Sequence, residues 1–374
     1  MNSIGVIVEY NPFHNGHLYQ LEKIKELYPN DCIIVILNGY FLERGLVSLE
    51  SKKEKVRLAL KYGANMVIEL PFVFGSNSAD IFSAASLELL DSLNCTKLVF
   101  GSESNDVSLL KEVALKQLDP GFDAIVKRYL DEGVNYPTAL SKAIGITIDT
   151  PNDLLGVSYI KAIIKNNYNI EPISIQRTNS YHDNTLDDKI VSASNIREKV
   201  YNNLDISKYI PEGNIVTVDE ELFFNLLKYK IISEDNLDKY LTVDEGIDNK
   251  LKKVIMDCNN INELVDKVKT RRYTYNRLRR MFIHILLSFT KEDRESITTN
   301  TYIRLLGFDD LGQAYINENK KDFKLPLLTK VTNLDSKIFD YEIKAASLYK
   351  VLTNENTLDF EYSNRPLKKD NARD

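Results

Sequence analysis

The chain has 374 residues, of which 43% are hydrophobic and 27% charged, a composition typical of an ordinary globular protein with two or three domains. Its net charge of −6 and pI of about 5.5 argue against binding nucleic acid through the whole surface, so any RNA or DNA contact has to be local. The sequence has neither a membrane-length apolar stretch nor a signal peptide, and its three cysteines follow no metal or disulfide spacing, which indicates a cytoplasmic protein without a membrane partner.

Short apolar runs rich in β-branched residues alternate with helical segments through the first half of the chain. They cover residues 4–8, 33–37, 66–70, 98–100 and 173–175. This alternation predicts a Rossmann-like α/β domain, in which helices cover both faces of a parallel sheet. Because parallel strands point the same way, the residues that follow each run are expected to gather at one edge of the sheet, where such folds bind ligands.

The junction between the first run and the first helix carries two histidines. His14, Asn15, Gly16 and His17 follow the run and precede apolar residues at helical spacing. A strand that turns into a helix start aims backbone N–H groups and the positive end of the helix dipole at one point, where an anion can bind. Gly16 permits a close approach, so the main chain and the ring nitrogens together would hold a phosphate.

The same two histidines also fit solvated surface residues or part of a metal site. The chain has 4 histidines and half of them stand at this junction, which favours a ligand site. A zinc site needs further ligands, yet Cys32, Cys95 and Cys258 are scattered without CxxC or HExxH spacing. Phosphate binding is therefore favoured, and no metal ligands are expected in the protein.

Two regions are expected to be helical. Residues 109–146 form an insertion between the fourth and fifth strands. From about residue 211, strand-like runs disappear and amphipathic patterns take over, at residues 222–227, 264–268 and 278–287. We therefore expect a ligand-binding catalytic domain over residues 1–210 and a mainly helical domain over residues 211–374.

The densest basic stretch of the chain lies in the predicted helical domain. Tyr273 and Tyr275 are interleaved with its basic side chains, and no acidic residue follows until Glu292. A solvated helix face explains such a run about as well as an RNA-binding surface does, and the aromatic residues favour RNA because rings stack on unpaired bases. This basic segment consists of Lys269, Arg271, Arg272, Arg277, Arg279 and Arg280.

An ordered series of motifs resembles one known family. Residues 5–18, GVIVEYNPFHNGHL, closely resemble the opening of the tRNA(Met) cytidine acetate ligase family, within the HxGH nucleotidyltransferase superfamily. An isolated HxGH motif is weak evidence, whereas a series across nearly the whole chain is specific. The further blocks are Arg44-Gly45, Gly63-Ala64, residues 67–72 and 98–104, Pro151-Asn152, Gln176-Arg177, Tyr181-His182-Asp183, and residues 192–197, 272–274 and 302–308.

The resemblance implies an enzyme that activates acetate with ATP as acetyl-adenylate, releases pyrophosphate, and transfers the acetyl group to the exocyclic amine of the wobble cytidine of elongator tRNA(Met). Its partners would be acetate and this tRNA, and DNA is not expected as a partner. Mg²⁺ is expected to accompany ATP. The resemblance places ATP contacts at Ile7, Val8, Glu9, Tyr10, Asn11, Pro12, Phe13, His14, Asn15, Gly16, His17, Leu18, Tyr19, Gln20, Gly101, Asn152 and Arg177.

A second ATP-binding segment follows from resemblance to the Ser/Thr-x-Ile-Arg signature of the superfamily. It consists of Ser194, Asn195 and Arg197, with the arginine facing the β and γ phosphates. Arginine suits this role because its guanidinium offers permanently charged donors. Without the resemblance, the segment also fits an N-cap serine that begins an ordinary helix with a surface arginine, and Arg177 fits a surface ion pair.

His14 and His17 are the predicted catalytic residues. Acetate is ionised at neutral pH, so its attack on ATP needs no general base, and donors aimed at the phosphates stabilise the developing charge. No residue in the sequence stands out as the base for the later acetyl transfer. Glu43 and Asp153 stand where members of the family often carry Gln and Asn, which adds negative charge near the polyphosphate.

Three other polar residues are expected outside the catalytic set. Glu69 lies among apolar residues and fits a structural, hydrogen-bonded carboxylate. His284 fits a packed core histidine. His182 beside Asp183 carries little weight because adjacent side chains seldom face each other.

Two other functions stay open from the residues alone. An adenylyltransferase acting on a small phosphorylated cofactor precursor would keep the fold, although 374 residues with a locally basic helical domain exceed that task. An RNA-binding scaffold that retains an ATP pocket would bind ATP without releasing pyrophosphate.

Overall fold

The computed structural model describes residues 1–134, 136–146, 148, 150–177, 189–331, 334, 336–362 and 365–369. The motif Tyr181-His182-Asp183 therefore lies outside the described residues. Within the described ranges, no helix is both long and apolar enough to cross a bilayer.

The strands are β1 (Ser3–Val8), β2 (Cys32–Asn38), β3 (Met66–Leu70), β4 (Lys97–Ser102), β5 (Glu171–Gln176), β6 (Ile303–Phe308), β7 (Leu327–Leu328) and β8 (Leu367–Lys368). They form one sheet in the order β5-β4-β1-β2-β3-β6-β7, with β8 paired to β6. The first five strands are parallel, which confirms the predicted Rossmann-like sheet and all five predicted strands. β6 runs antiparallel to β3.

Helices cover both faces of the sheet, as predicted. They are α1 (Asn15–Leu27), α2 (Lys52–Tyr62), α3 (Phe72–Gly75), α4 (Ala79–Ser92), α5 (Val107–Leu118), α6 (Phe122–Asp131), α7 (Tyr136–Ile144), α8 (Pro151–Asn166), α9 (Ala193–Tyr201), α10 (Glu220–Ser233), α11 (Ile247–Val254), α12 (Ile261–Val268), α13 (Tyr275–Leu286), α14 (Lys291–Ser296), α15 (Asp310–Asn319), α16 (Lys337–Thr353) and α17 (Leu358–Glu361). α5, α6 and α7 form the predicted insertion between β4 and β5.

Alternate residues of the central strands bury opposite faces of the sheet, because successive side chains of a strand point to opposite sides. Val35 packs in one core with Leu21 and Ile24 of α1. Ile34 and Ile36 belong to the second core, on the other face of the sheet. The apolar spacing of α1 therefore fixes which side of the helix lies on the sheet and how its first turn is presented at the end of β1.

The part of the chain beyond residue 211 is mainly helical, as predicted, but the expectation that strands end there is wrong. β6 extends the sheet beside β3, and β7 and β8 pair with β6. The two predicted domains therefore share one sheet, and the boundary at residues 210 and 211 stays a prediction.

A buried cluster of charged side chains joins the C-terminal elements to the sheet. Lys52 Nζ lies 2.7 Å from Glu69, 2.8 Å from Glu342 and 2.8 Å from Glu361. Arg304 of β6 lies 2.9 Å from Glu69 and 2.6 Å from Glu361. Glu69 is therefore the structural carboxylate that its apolar neighbours suggested.

Candidate active site

The predicted ligand site lies at the switch point of the sheet, where β1 stands between β4 and β2. Connections leave β1 and β4 in opposite directions there, and such crevices bind ligands in α/β folds. Ile7 and Val8 belong to β1 and Gly101 to β4, while Arg177 follows β5 directly. The predicted site residues thus come from neighbouring strands at one edge of the sheet.

The turn from Glu9 to Phe13 is held by buried polar contacts. Asn11 Oδ1 accepts from the N–H of Leu49 at 2.8 Å, and the N–H of Phe13 donates to Glu50 at 2.8 Å. Tyr10, Asn11 and Phe13 are buried. These residues of the predicted ATP segment therefore shape the turn, which sets the position of the first residue of α1.

His14 and His17 cap α1 reciprocally. His14 Nδ1 accepts from the N–H of Gly16 at 3.0 Å, and His17 Nδ1 accepts from the N–H of His14 at 3.3 Å. The two rings stack with centroids 3.9 Å apart. Since Nδ1 accepts in both rings, a neutral imidazole carries its proton on Nε2 and donates from that atom. Neither Nε2 has a hydrogen-bond partner among the described residues.

Both imidazoles are neutral at pH 7. Burial, together with the nearby charges of Arg177 and Arg197, lowers the pKa of His14 to about 3. Burial, His14 and Arg177 also hold the pKa of His17 well below its ordinary value. The arginines thus supply the positive charge of the site, and the histidines supply directed N–H donors.

The expectation that backbone N–H groups of the first turn grip an anion is wrong for this structure. The N–H of Asn15 donates to the carbonyl of Tyr209 at 3.0 Å, and that of Gly16 donates to His14. The next two N–H groups donate to the carbonyl of His14 at 2.8 and 3.1 Å. Because these donors already have acceptors, an anion would be held by side chains.

Gly16 is required by the histidine cap. A Cβ atom at this position would lie 2.7 Å from Cε1 of His14, which is closer than side chains approach each other. The close approach predicted for Gly16 is therefore made by the His14 ring.

Asn15 has a structural role as well, since its amide donates to the carbonyls of Lys189 and Lys208. Leu18, Tyr19 and Gln20 follow in α1 and are half-buried.

Arg197 contacts the turn that precedes the histidines. Its Nη1 donates to the carbonyl of Asn11 at 2.9 Å. Its helix α9 begins with Ser192 as the N-cap, whose hydroxyl accepts from the N–H of Asn195 at 3.3 Å. Ser194 and Asn195 are exposed at the same end of the helix. The predicted second segment thus lies beside the histidines, with Ser192 rather than Ser194 as its cap.

Arg177 lies across Gly101, beside Glu103. A Cβ atom on Gly101 would lie 3.4 Å from Cγ of Arg177. Arg177 Nε is buried without a hydrogen-bond partner and lies 3.6 Å from Glu103 Oε1. Asn152 donates its amide to the same carboxylate. A buried unpaired donor costs free energy, so an incoming phosphate oxygen would be favourable at this nitrogen.

The two departures from the family pattern are compensated locally. Asp153 is buried and accepts from the N–H of Ser104 at 3.0 Å and from the hydroxyl of Thr150 at 2.9 Å. Glu43 lies 3.3 Å from Arg280, and burial raises its pKa to about 7. Asp153 is thus held by neutral donors, whereas Glu43 is paired with a cation.

The basic segment divides into an exposed part and a buried part. Lys269, Arg271 and Arg272 are exposed, although Arg271 donates to the carbonyl of Gly133 at 2.7 Å and Arg272 lies 2.8 Å from Glu245. Arg277 is half-buried and lies 3.3 Å from Asp244, with its guanidinium over the ring of Tyr273.

Arg279 and Arg280 do not belong to an exposed patch, which corrects the prediction. The side chain of Arg279 is 5% exposed and lies 3.5 Å from Glu220, while that of Arg280 is 14% exposed and pairs with Glu43. Tyr273 is also buried, so Tyr275 alone of the two interleaved tyrosines is exposed. Arg279 and Arg280 are covered because α13 packs closely against Gly45. A Cβ atom at Gly45 would lie 2.3 Å from the backbone nitrogen of Arg280.

Lys55, a buried lysine beneath the site, was not predicted from the sequence. Its Nζ donates to the carbonyls of Glu9 at 2.9 Å, Asn38 at 2.7 Å and Gly39 at 2.6 Å. Burial lowers its pKa to about 7. Lys55 therefore ties the ends of β1 and β2 together, a role that no local pattern in α2 indicates.

His284, in contrast, is the core histidine that was predicted, with Nε2 2.8 Å from the carbonyl of Ser76.

The fold and the site define a nucleotidyl transferase, with an HxGH motif where the first strand meets the first helix and two arginines close to it. A family model described as HIGH Nucleotidyl Transferase matches residues 1–364. The tRNA(Met) cytidine acetate ligase of Geobacillus sp. (strain WCH70) is 38% identical over 399 residues, covering 98% of this chain and 100% of that protein. The chain belongs to the tRNA(Met) cytidine acetate ligase family.

Solved structures agree with this assignment. Thermotoga maritima TmcAL bound with alpha-thio ATP is similar with a TM-score of 0.85 and 26% identity, over 99% of this chain and 100% of that chain. The apo form of Thermotoga maritima TmcAL is similar with a TM-score of 0.87 and 27% identity, over the same shares of both chains. The likeness therefore extends over the sheet and the helical part together.

Proposed function

We propose that the chain is an ATP-dependent ligase that activates acetate as acetyl-adenylate and transfers the acetyl group to the wobble cytidine of elongator tRNA(Met), forming N4-acetylcytidine. The observation that carries the proposal is the meeting of two neutral imidazoles with Arg177 and Arg197 at the switch point of the sheet. The activity by which the relatives are named, and the ATP analogue named with the Thermotoga structure, support the choice of substrates.

In the first step an acetate oxygen attacks the α-phosphorus of ATP, and pyrophosphate leaves with the electron pair of the broken P–O bond. Negative charge grows on the phosphate oxygens, and the Nε2 donors of His14 and His17 would stabilise it. Arg177 and Arg197 would hold the β and γ phosphates. Since no proton has to be removed from acetate, neutral histidines suit this step.

Mg²⁺ would enter this site on the ATP phosphates. Among the described residues, no group of three or more His, Cys, Asp or Glu side chains is arranged to hold a metal ion. The described residues therefore form no protein cage for the ion. Mg²⁺ commonly keeps its water and substrate phosphate ligands, so it would be bound through ATP.

The exposed part of the basic segment would bind the tRNA. Lys269, Arg271 and Arg272 carry exposed charges that would contact phosphates without reading sequence, and the half-buried Arg277 lies in the same segment. In this proposal residues 1–210 bind ATP and acetate, while residues 211–374 bind the tRNA.

The test is incubation of the protein with ATP, radiolabelled acetate and a tRNA(Met) transcript. Label should enter the tRNA only when ATP is present, with one pyrophosphate released for each acetyl group transferred. A panel of short carboxylates, with and without tRNA, tests the preference for acetate. Binding of ATP and tRNA without pyrophosphate release would contradict the proposal.

A further inference from the structure

Glu9 is a half-buried carboxylate at the candidate active site. It directly follows β1 and precedes the turn that leads to His14. The N–H of Glu43 donates to Glu9, and the side chain of Glu43 pairs with Arg280 of α13. Glu9 is thus linked both to the nucleotide turn and to the helix that carries part of the basic segment.

The carboxylate of Glu9 is held by one oxygen. Oε1 accepts from Asn38 Nδ2 at 2.9 Å and from the N–H of Glu43 at 2.7 Å. Lys55 fixes the backbone of the same residue by donating to its carbonyl at 2.9 Å. Oε2 has no hydrogen-bond partner within the described part of the chain, and this oxygen is accessible to solvent. The group is therefore oriented and keeps an open acceptor.

The other carboxylates near the site are committed to protein partners. Glu50 accepts from the N–H of Phe13 inside the core, and Glu43 pairs with Arg280. Asp153 is buried among several donors. Glu103 accepts from Asn152 and from the N–H of Asp153. Glu9 and Glu43 are both half-buried with one oxygen that accepts nothing from the described residues, but Glu43 is paired with Arg280, whereas Glu9 forms no ion pair within the described part of the chain.

We propose that Glu9 is the general base of the acetyl transfer, an inference that rests on the proposed function. The exocyclic nitrogen of cytidine forms a bond to the acyl carbon of acetyl-adenylate, and the bond from that carbon to the phosphate oxygen breaks. AMP leaves with the electron pair, and the proton of the nitrogen passes to Glu9 Oε2. A carboxylate is a natural acceptor for this amino group of cytosine.

The variant Glu9→Gln separates proton acceptance from structure. The glutamine oxygen still accepts from Asn38 and Glu43, so the turn should persist. Acetate-dependent ATP–pyrophosphate exchange, which needs no base, measures separately any loss of ATP binding that the substitution causes at this residue of the predicted ATP segment. Single-turnover acetyl transfer to tRNA(Met) should fall by about 100-fold or more beyond any fall in exchange, the usual contribution of a general base.

Rescue by the conservative variant provides a readout that a purely structural role would not give. Glu9→Asp, which retains a carboxylate on a shorter side chain, should recover part of the rate. Glu43→Gln is the matched control, because it removes a neighbouring carboxylate while its backbone N–H is unchanged, and both steps should stay within about 3-fold of the wild type.

Transfer by Glu9→Gln within about 3-fold of the wild type would overturn the inference, as would an equal fall in exchange and transfer. Absence of acetyl transfer by the wild-type chain would instead overturn the proposed function, and this inference with it. The two failures are therefore distinguished by the wild-type reaction alone.

Discussion

Arg197 donates a hydrogen bond from Nη1 to the carbonyl oxygen of Asn11 at 2.9 Å. The bond joins two motifs that are 186 residues apart in the sequence and brings a permanent charge to the turn before the histidines. Because the acceptor belongs to the main chain, the position of the guanidinium is set by the fold rather than by another flexible side chain. Donors on both sides of the site are therefore in place before a ligand binds.

Replacing Arg197 should weaken ATP binding. Arg197→Ala would remove the proposed charged hydrogen bonds to the phosphates, each worth about 1.5–3 kcal/mol, so the KM for ATP should rise by about 10-fold or more. Arg197→Lys should recover only part of this loss because lysine lacks the planar fork. Initial rates of pyrophosphate release over a range of ATP concentrations measure the effect. An unchanged KM for ATP in Arg197→Ala would exclude the proposed role.

The donor atom of His17 can be tested separately from its capping atom. His17→Asn places an acceptor near the position of Nδ1, so the cap on α1 is retained while the Nε2 donor is lost. Acetate-dependent ATP–pyrophosphate exchange should fall by about 100-fold, as for His17→Ala. His17→Gln, whose amide reaches the position of Nε2, should lose less. Normal exchange in His17→Asn would contradict the assignment.

Neutralising the exposed part of the basic segment should weaken tRNA binding. A variant with glutamine at Lys269, Arg271 and Arg272 should bind tRNA(Met) less tightly and with a shallower dependence on salt. The slope should decrease by about 0.7 to 1 for each phosphate that the variant no longer binds. ATP binding should be unchanged. Filter binding at several salt concentrations measures both the affinity for tRNA and its salt dependence.

The matched control neutralises three exposed lysines elsewhere, at Lys53, Lys320 and Lys321. Equal losses in the two triple variants would show that overall charge, rather than this surface, governs binding. Arg280→Gln should leave the salt slope unchanged and lower thermal stability, because Arg280 pairs with Glu43 inside the protein.

The sheet was predictable where the pattern was local. Runs of β-branched residues identified β1 to β5, since strands buried on both faces have continuous apolar sequences. β6 was missed because Arg304 interrupts its apolar run. That arginine is buried only because Glu69 and Glu361 neutralise it, and Glu69 is 235 residues away in the sequence.

The motifs of the candidate site could be predicted from the sequence, but the partners of its hydrogen-bond donors could not. The HxGH spacing located the helix start, whereas the acceptor for the N–H of Asn15 comes from Tyr209, which no local pattern links to it. Likewise, the charges of Arg279 and Arg280 were visible in the sequence. The face of α13 on which they lie depends on its contact with Gly45.

The charged cluster around Lys52 should be essential for stability. Lys52→Met leaves three buried carboxylates with Arg304 as their remaining cation, and loss of one partner from a buried ionic group costs about 3–5 kcal/mol. Urea unfolding measures this free energy. Lys53→Met, at an exposed neighbouring position of α2, should change it by less than about 0.5 kcal/mol. Equal effects of the two substitutions would refute the role of the cluster.

His284 should make the protein less stable as the pH falls. Burial lowers its pKa from 6.5 to about 4, because protonation would place a charge in the core. Between these values the unfolded chain binds a proton that the folded chain does not, so the free energy of unfolding decreases with decreasing pH. The contribution of this residue between pH 7 and pH 5 is about 2 kcal/mol. His284→Gln retains a donor for the carbonyl of Ser76. Urea unfolding should show that the free energy of unfolding of this variant falls between pH 7 and pH 5 by about 2 kcal/mol less than that of the wild type. An identical difference in the variant and the wild type would mean that the other histidines account for the acid sensitivity.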